Sequence, residues 1–187
     1  MSDELVIRHC APTLACIKTA NLFSCIFADQ QEMVDHVRRL NLRLKGKGLR
    51  ILPLCFKDNR GLIYVYRPGM LSKDLQNEFA GHLLKKCGYS CIDENACLRK
   101  LIERLNLLSD FPHEIGLFLG YPPEDVKGFI KFRGRNSKTS GYWKVYGDVN
   151  RARKQFDRFS KCTGVYLKCL ERGLPIAKLA VRTQVTA

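Results

Sequence analysis

Apolar residues recur at three- and four-residue spacing over long stretches of the chain and gather into short β-rich runs between them. Residues 12–27 carry helical spacing through Leu14, Ile17, Ala20 or Asn21, and Ser24, with Pro12 suited to the first turn, where its missing N–H costs nothing. Asp29 and Glu32 form a capping-box-like start to a second helix, whose buried stripe is Val34, Val37, Leu40 and Leu44. Gly46 and Gly48 end it. Residues 49–56 and 62–67 are two short strands around Lys57-Asp58-Asn59-Arg60-Gly61, which predicts a hairpin. Ser72 then caps a helix with Leu75, Phe79, Leu83 and Leu84 inward, closed by Gly88. A further helix spans 93–108, with Leu98, Ile102, Leu105 and Leu108 facing the core.

The stretch 111–126, FPHEIGLFLGYPPEDV, is the most unusual in the chain. Gly116 and Gly120 interrupt its apolar run, which points to close backbone approach or a special dihedral. It predicts a strand over 114–119, followed by a helix that starts at Pro122-Pro123-Glu124-Asp125 and ends near Gly134. Residues 141–146 read as a strand, Asp148 as the cap of a long basic helix reaching Glu171 and Gly173, and residues 174–181 as a last strand with Pro175 at its edge. The expected architecture is α+β or α/β: one domain over residues 1–187, with a mixed sheet of about five strands and helices packed on it.

Composition places the chain in a compartment and gives it a sign. With 45% hydrophobic and 27% charged residues over 187 positions it is globular. No run approaches about 18 consecutive apolar residues, so no membrane partner is expected, and Met1-Ser2-Asp3-Glu4 lacks the basic start of a secretory signal. A cytoplasmic location is expected. Nine cysteines, an odd number with no CxxC pair and only loose spacings (Cys87 to Cys91 to Cys97, Cys162 to Cys169), read as thiols, with no metal and no cofactor expected. The formal charge is +14, and 13 Lys/Arg against Asp148, Asp157 and Glu171 put +10 of it in residues 127–172. That concentration points to an anionic partner, either nucleic acid or a phosphorylated ligand.

His113, after a proline and at the mouth of the expected strand, has the intrinsic pKa for proton transfer near neutrality. Its plainer role is to cap or pack. Cys10 stands at the threshold of the expected first helix, where unpaired N–H groups would favour a thiolate. Together Cys10 and His113 suggest a ligand-binding or thiol-dependent, hydrolase-like site, and their local pattern is similar to that of papain-like cysteine hydrolases. In the basic region, Lys131, Arg133, Arg135, Lys138, Trp143 and Lys144 mix cations with an aromatic ring, as a phosphate- and base-binding loop does. Arg151, Arg153, Lys154, Arg158 and Lys161 come next on the helix. The plainer reading of that run is a solvated helix face. A protein-interaction module is the third possibility, marked by an exposed apolar patch. Neither GxGxxG nor a phosphate-binding GxxxxGK[ST] is present.

Three segments, HCAPTLACIK at 9–18, the 111–126 stretch, and GYWKVYGD at 141–148 with Ala152, Phe156 and Cys162, resemble an uncharacterised bacterial domain-of-unknown-function family common in anaerobic Gram-positive bacteria. The resemblance implies a single-domain cytoplasmic protein and supplies no activity, cofactor or catalytic residue. Cys16 takes a place where a small residue such as glycine is expected, which implies a structural role for it.

Overall fold

The computed structural model describes residues 2–90, 93–107 and 110–183; the expected roles of Cys91 and Leu108 lie outside them. In chain order the elements are α1 (Asp3–Leu14), β1 (Ala20–Ile26), α2 (Gln30–Leu44), a 3-10 turn (Lys45–Lys47), β2 (Arg50–Lys57), β3 (Arg60–Tyr66), α3 (Pro68–Leu75), α4 (Glu78–Lys86), α5 (Glu94–Leu107), α6 (Ile115–Phe118), α7 (Pro123–Phe132), β4 (Thr139–Ser140), β5 (Lys144–Val145), α8 (Val149–Glu171) and α9 (Ile176–Leu179). They build two compact units, one of Met1–Gly69 with Phe159–Ala187 and one of Met70–Arg158. The α+β class stands. The five-stranded mixed sheet does not: strands form a three-stranded antiparallel sheet, β1-β3-β2, and a separate β4-β5 pair.

In the first unit the hairpin is where the sequence puts it. Asp58 and Asn59 both take left-handed φ values (49° and 57°), the pair a tight two-residue turn requires, and Lys57 then faces Arg60. Pro53 lies on β2, an edge strand, where its missing N–H breaks no inner ladder. Central β3 buries Ile63, Tyr64 and Val65 completely. Asp29 caps α2 by accepting from Glu32 N–H at 2.7 Å, and Met33, rather than the expected Val34, joins Val37, Leu40 and Leu44 in the core. Asn41 fixes α2 against β2: its amide donates to Ile51 C=O and its oxygen accepts from Ile51 N–H, both at 2.8 Å.

The helix expected over 12–27 is corrected. Ser2 caps α1 ten residues earlier, accepting from Leu5 N–H at 3.2 Å, so Pro12 falls in the last turn, where it removes only one late hydrogen bond. The chain turns at Cys16, whose φ is 59°, and then runs extended as β1, in which Ala20, Phe23 and Cys25 are buried. The position where a small residue is expected is therefore one whose backbone favours glycine. The last strand, expected over 174–181, is instead the single turn α9, with Pro175 at its N-cap. Tyr166 on α8 donates to Leu179 C=O at 2.8 Å and ties that turn down.

One side chain gathers the ends of this unit. Arg67, 1% exposed, spends all five of its N–H donors: Nε on Thr13 C=O (2.7 Å), one terminal nitrogen on Lys47 C=O and Thr183 Oγ1 (3.0 and 2.7 Å), the other on Leu14 C=O and Val181 C=O (2.8 and 2.9 Å). Burial pulls its pKa below the usual arginine value. Every acceptor is neutral, so the cation is solvated by carbonyls at the end of α1, in the 3-10 turn and in the tail after α9.

In the second unit the single helix expected after Ser72 breaks in two. Asn77 caps α4 by accepting from Phe79 and Ala80 N–H, and Phe79 is left 76% exposed rather than inward. Asp93 caps α5, accepting from Ala96 N–H at 2.8 Å, with Cys97, Leu98 and Leu101 buried. Asp148 caps α8 as expected, accepting from Arg151 N–H at 3.0 Å, and Gly173, at φ 77°, lies just past its end. Among the described residues no helix is long and apolar enough to cross a membrane.

Candidate functional site

The 111–126 stretch is not a strand. Residues 115–118 form one helical turn, α6, buried on every side. A short apolar run that is buried all round carries no periodicity, so sequence alone does not separate it from a buried strand. The two glycines do serve the roles their positions imply. A Cβ on Gly116 would lie 2.8 Å from the Val126 side chain, so α6 and α7 meet there backbone to side chain. Gly120 sits at φ 72°, a left-handed turn that releases the chain toward Pro122 and Pro123.

Asp125, in the first turn of α7, organises the segment around β5. It is 3% exposed, and its carboxylate accepts from Tyr146 N–H, Gly147 N–H and the Trp143 indole N–H, each at 2.7 Å. Trp143 is thereby fixed between two rings: Tyr121 stacks on it at 4.9 Å and 29°, and Phe156 meets it edge-on at 4.5 Å. Tyr121 donates its hydroxyl to Tyr142 C=O at 3.2 Å, and burial pushes the phenol up to about 12. Beneath α6, Glu114 (3% exposed) accepts from Arg104 Nε at 2.6 Å and from the Tyr89 hydroxyl at 3.0 Å. Burial, and the Glu114 carboxylate beside it, push the Tyr89 phenol up.

These elements enclose a pocket of about 320 Å³. Its walls include Ile115, Tyr121, Val126, Phe129 and Trp143; its polar rim is His113, Ser140 and Lys144. The His113 ring packs edge-on against Phe129 at 4.9 Å and lies 6.2 Å from Phe111. Lys144 donates to Gly134 C=O at 2.6 Å and keeps two further N–H groups. Sequence reasoning found His113, Trp143 and Lys144 and missed Tyr121, Asp125 and Phe129. The acidic first turn of α7 was visible, but its reach of about twenty residues to Trp143 was not.

Of the other expected site residues, Lys131, Arg133, Arg135 and Lys138 are exposed around the α7–β4 connection. Lys131 sits over the Phe132 ring at 5.0 Å, Arg133 ends α7 at a left-handed φ of 49°, and Lys138 donates to Gly147 C=O at 2.8 Å. The premise behind Cys10 is corrected. It belongs to the last part of α1 in the first unit, fully buried among Val6, Leu14 and Phe23, where burial pushes its thiol up and keeps it neutral. A neutral thiol in apolar packing is not a nucleophile. His113 belongs to the other unit. Among the described residues, the cysteines form no disulfide and no group of three His, Cys, Asp or Glu side chains is placed to hold a metal.

The buried phenols give the molecule an alkaline limit. Tyr121 and Tyr166 are raised to about 12 by burial, above an ordinary value near 10. A folded pKa above the unfolded one stabilises below about pH 10, and that contribution is lost as pH rises through about 12. In a titration of tyrosinate absorbance, Tyr89, Tyr121 and Tyr166 are expected to ionise last and together with loss of helical ellipticity. A single wave near pH 10 for all seven tyrosines would contradict this.

No curated protein and no solved structure gives a match. A family described as protein of unknown function (DUF3793) matches residues 6–180, a span that takes in both units and the whole pocket. The chain belongs to that family.

Proposed function

We propose that this protein binds a small, flat, ring-bearing molecule in the pocket between α6, α7 and β5, with Lys144 and His113 meeting an anionic or acceptor group at its rim. The observation that carries the reading is the construction of the pocket. Aromatic walls are held rigid by a carboxylate whose lone pairs serve backbone and indole, while the rim presents exposed donors. Preformed apolar concavities with a few convergent polar groups are the usual form of small-molecule sites. Catalysis by a Cys10 thiolate forms no part of this reading, because that thiol is neutral and sealed in the core.

Trp143 is the only tryptophan in the chain and lines the pocket, so its emission reports occupancy directly. Titration with benzoate and phenylacetate, both transparent at the excitation wavelength, is expected to give saturable quenching. Lys144→Met is expected to weaken the acids about tenfold, roughly the 1.4 kcal/mol of one lost charged contact, while leaving the corresponding neutral amides unchanged. Emission that changes only linearly with every ring compound would overturn the reading.

A further inference from the structure

The Phe129 and Lys144 end of the pocket adjoins the α7–β4 connection, because the Lys144 ammonium is bonded to Gly134 C=O. Arg133 and Arg135 flank that glycine, and Lys131 and Lys138 lie within the same few residues. Lys131, Arg133 and Arg135 are exposed. Residues 127–158 hold ten Lys/Arg against Asp148 and Asp157. Five ion pairs lie elsewhere: Arg8–Glu4, Arg38–Asp35, Arg43–Asp3, Lys100–Glu103 and Arg104–Glu114. Two of the nearby carboxylates are engaged. Asp125 is taken by Trp143 and two backbone N–H groups, and Asp148 accepts from Arg151 N–H. Lys144 lines the pocket itself and the other cations belong to the connection that adjoins it, and a field of one sign beside a pocket draws in anions.

Resting on the pocket reading above, we infer that the ring-bearing ligand is a nucleotide, its base in the aromatic pocket and its phosphate among Lys131, Arg133, Arg135 and Lys144. The pocket takes a single unstacked ring, and the cations beside it take more negative charge than one carboxylate brings. Free nucleotides offer this chemistry, as do the unpaired bases of a single strand. A duplex hides the ring.

The test uses the full chain and five probes: thymidine, thymidine monophosphate, single-stranded oligo(dT) of twelve nucleotides, the same strand in duplex, and inorganic polyphosphate. Saturable Trp143 quenching is expected with the monophosphate at least tenfold tighter than with thymidine. If a strand is the source, oligo(dT) binds at least another hundredfold tighter than the monophosphate. Its log K then falls with log[salt] at a slope of about −2 to −3, as for three or four phosphate contacts. If free nucleotide is the source, the two bind alike. The double variant Lys131→Glu/Arg135→Glu, its fold checked by an unchanged Trp143 emission maximum, is expected to reduce the monophosphate to the affinity of thymidine. Equal binding of thymidine and its phosphate overturns the inference and leaves the ring pocket standing. Duplex or polyphosphate binding as tight as oligo(dT), with Trp143 undisturbed, also overturns it, since the cations are then a plain polyanion surface. Silence of Trp143 toward nucleotides and ring acids alike removes both readings.

Discussion

Replacing Arg67 by methionine is expected to destabilise the protein by about 3–5 kcal/mol, seen as a lowered midpoint in urea unfolding followed by far-UV ellipticity. Methionine fills much of the volume but takes five hydrogen bonds out of a buried site: Thr13, Leu14 and Lys47 C=O each keep a backbone N–H (from Cys16, Val181 and Thr183), while Val181 C=O and the Thr183 hydroxyl lose the guanidinium. Each lost hydrogen bond from a charged donor is worth roughly 1.5–3 kcal/mol, and relaxation or an entering water recovers part of it. Arg67→Lys tests the geometry apart from the charge. An ammonium has three N–H groups to distribute over five acceptors and lacks the planar fork, so it too is expected to fall well short of the parent. Against a total stability of about 5–15 kcal/mol, either loss is large. A midpoint shift worth less than about 1 kcal/mol for Arg67→Met would mean the guanidinium is not the closure of this unit.

The second large effect is at Asp125. Asp125→Ala takes the acceptor from the buried Trp143 indole N–H and from the half-buried Tyr146 and Gly147 N–H groups, and is expected to cost about 3–5 kcal/mol. Trp143 then loses its hydrogen bond and its seat between Tyr121 and Phe156. Its emission should shift to the red, and quenching by ring compounds should disappear. Asp125→Asn separates charge from shape. The amide oxygen can keep the backbone pair, but the NH₂ group then faces the indole N–H, donor against donor, for a cost of about 1–3 kcal/mol. If Asp125→Ala unfolds at the parent's midpoint with unaltered Trp143 emission, the pocket is not built on this carboxylate.

What could be read from the sequence was what short-range chemistry decides. The Asp58–Asn59 turn, the Asp29 cap of α2 and the span of α8 from Asp148 to Gly173 each depend on a residue acting within four positions of itself. The failures share another cause. Pro12 fits the first turn of a helix and also its last, and the choice was made by Ser2 ten residues away. Residues 115–118 are short, apolar and buried all round, so no pattern marks them helical rather than extended, and residues 176–179, with Ile176 and Leu179 inward and Lys178 exposed, make a single turn too short for a period to show. Cys10 moves with the helix boundary, since placing it in the buried part of α1 and not at its start reverses the expected effect on its thiol. In the pocket, His113, Trp143 and Lys144 were visible as residue types. Tyr121, Phe129 and the tie from Asp125 to Trp143 depend on long-range closure, which nothing local encodes.

The seat of Trp143 has a consequence for how the chain comes apart. The sole indole lies in the second unit, wedged against Tyr121 and Phe156, whereas the helices that dominate ellipticity are spread over both units. Fluorescence therefore times the melting of one half of the molecule and circular dichroism that of the whole. Coincident curves mean one cooperative transition; separated curves mean two melting events, with Arg67 substitutions moving the ellipticity curve first and Asp125 substitutions the emission.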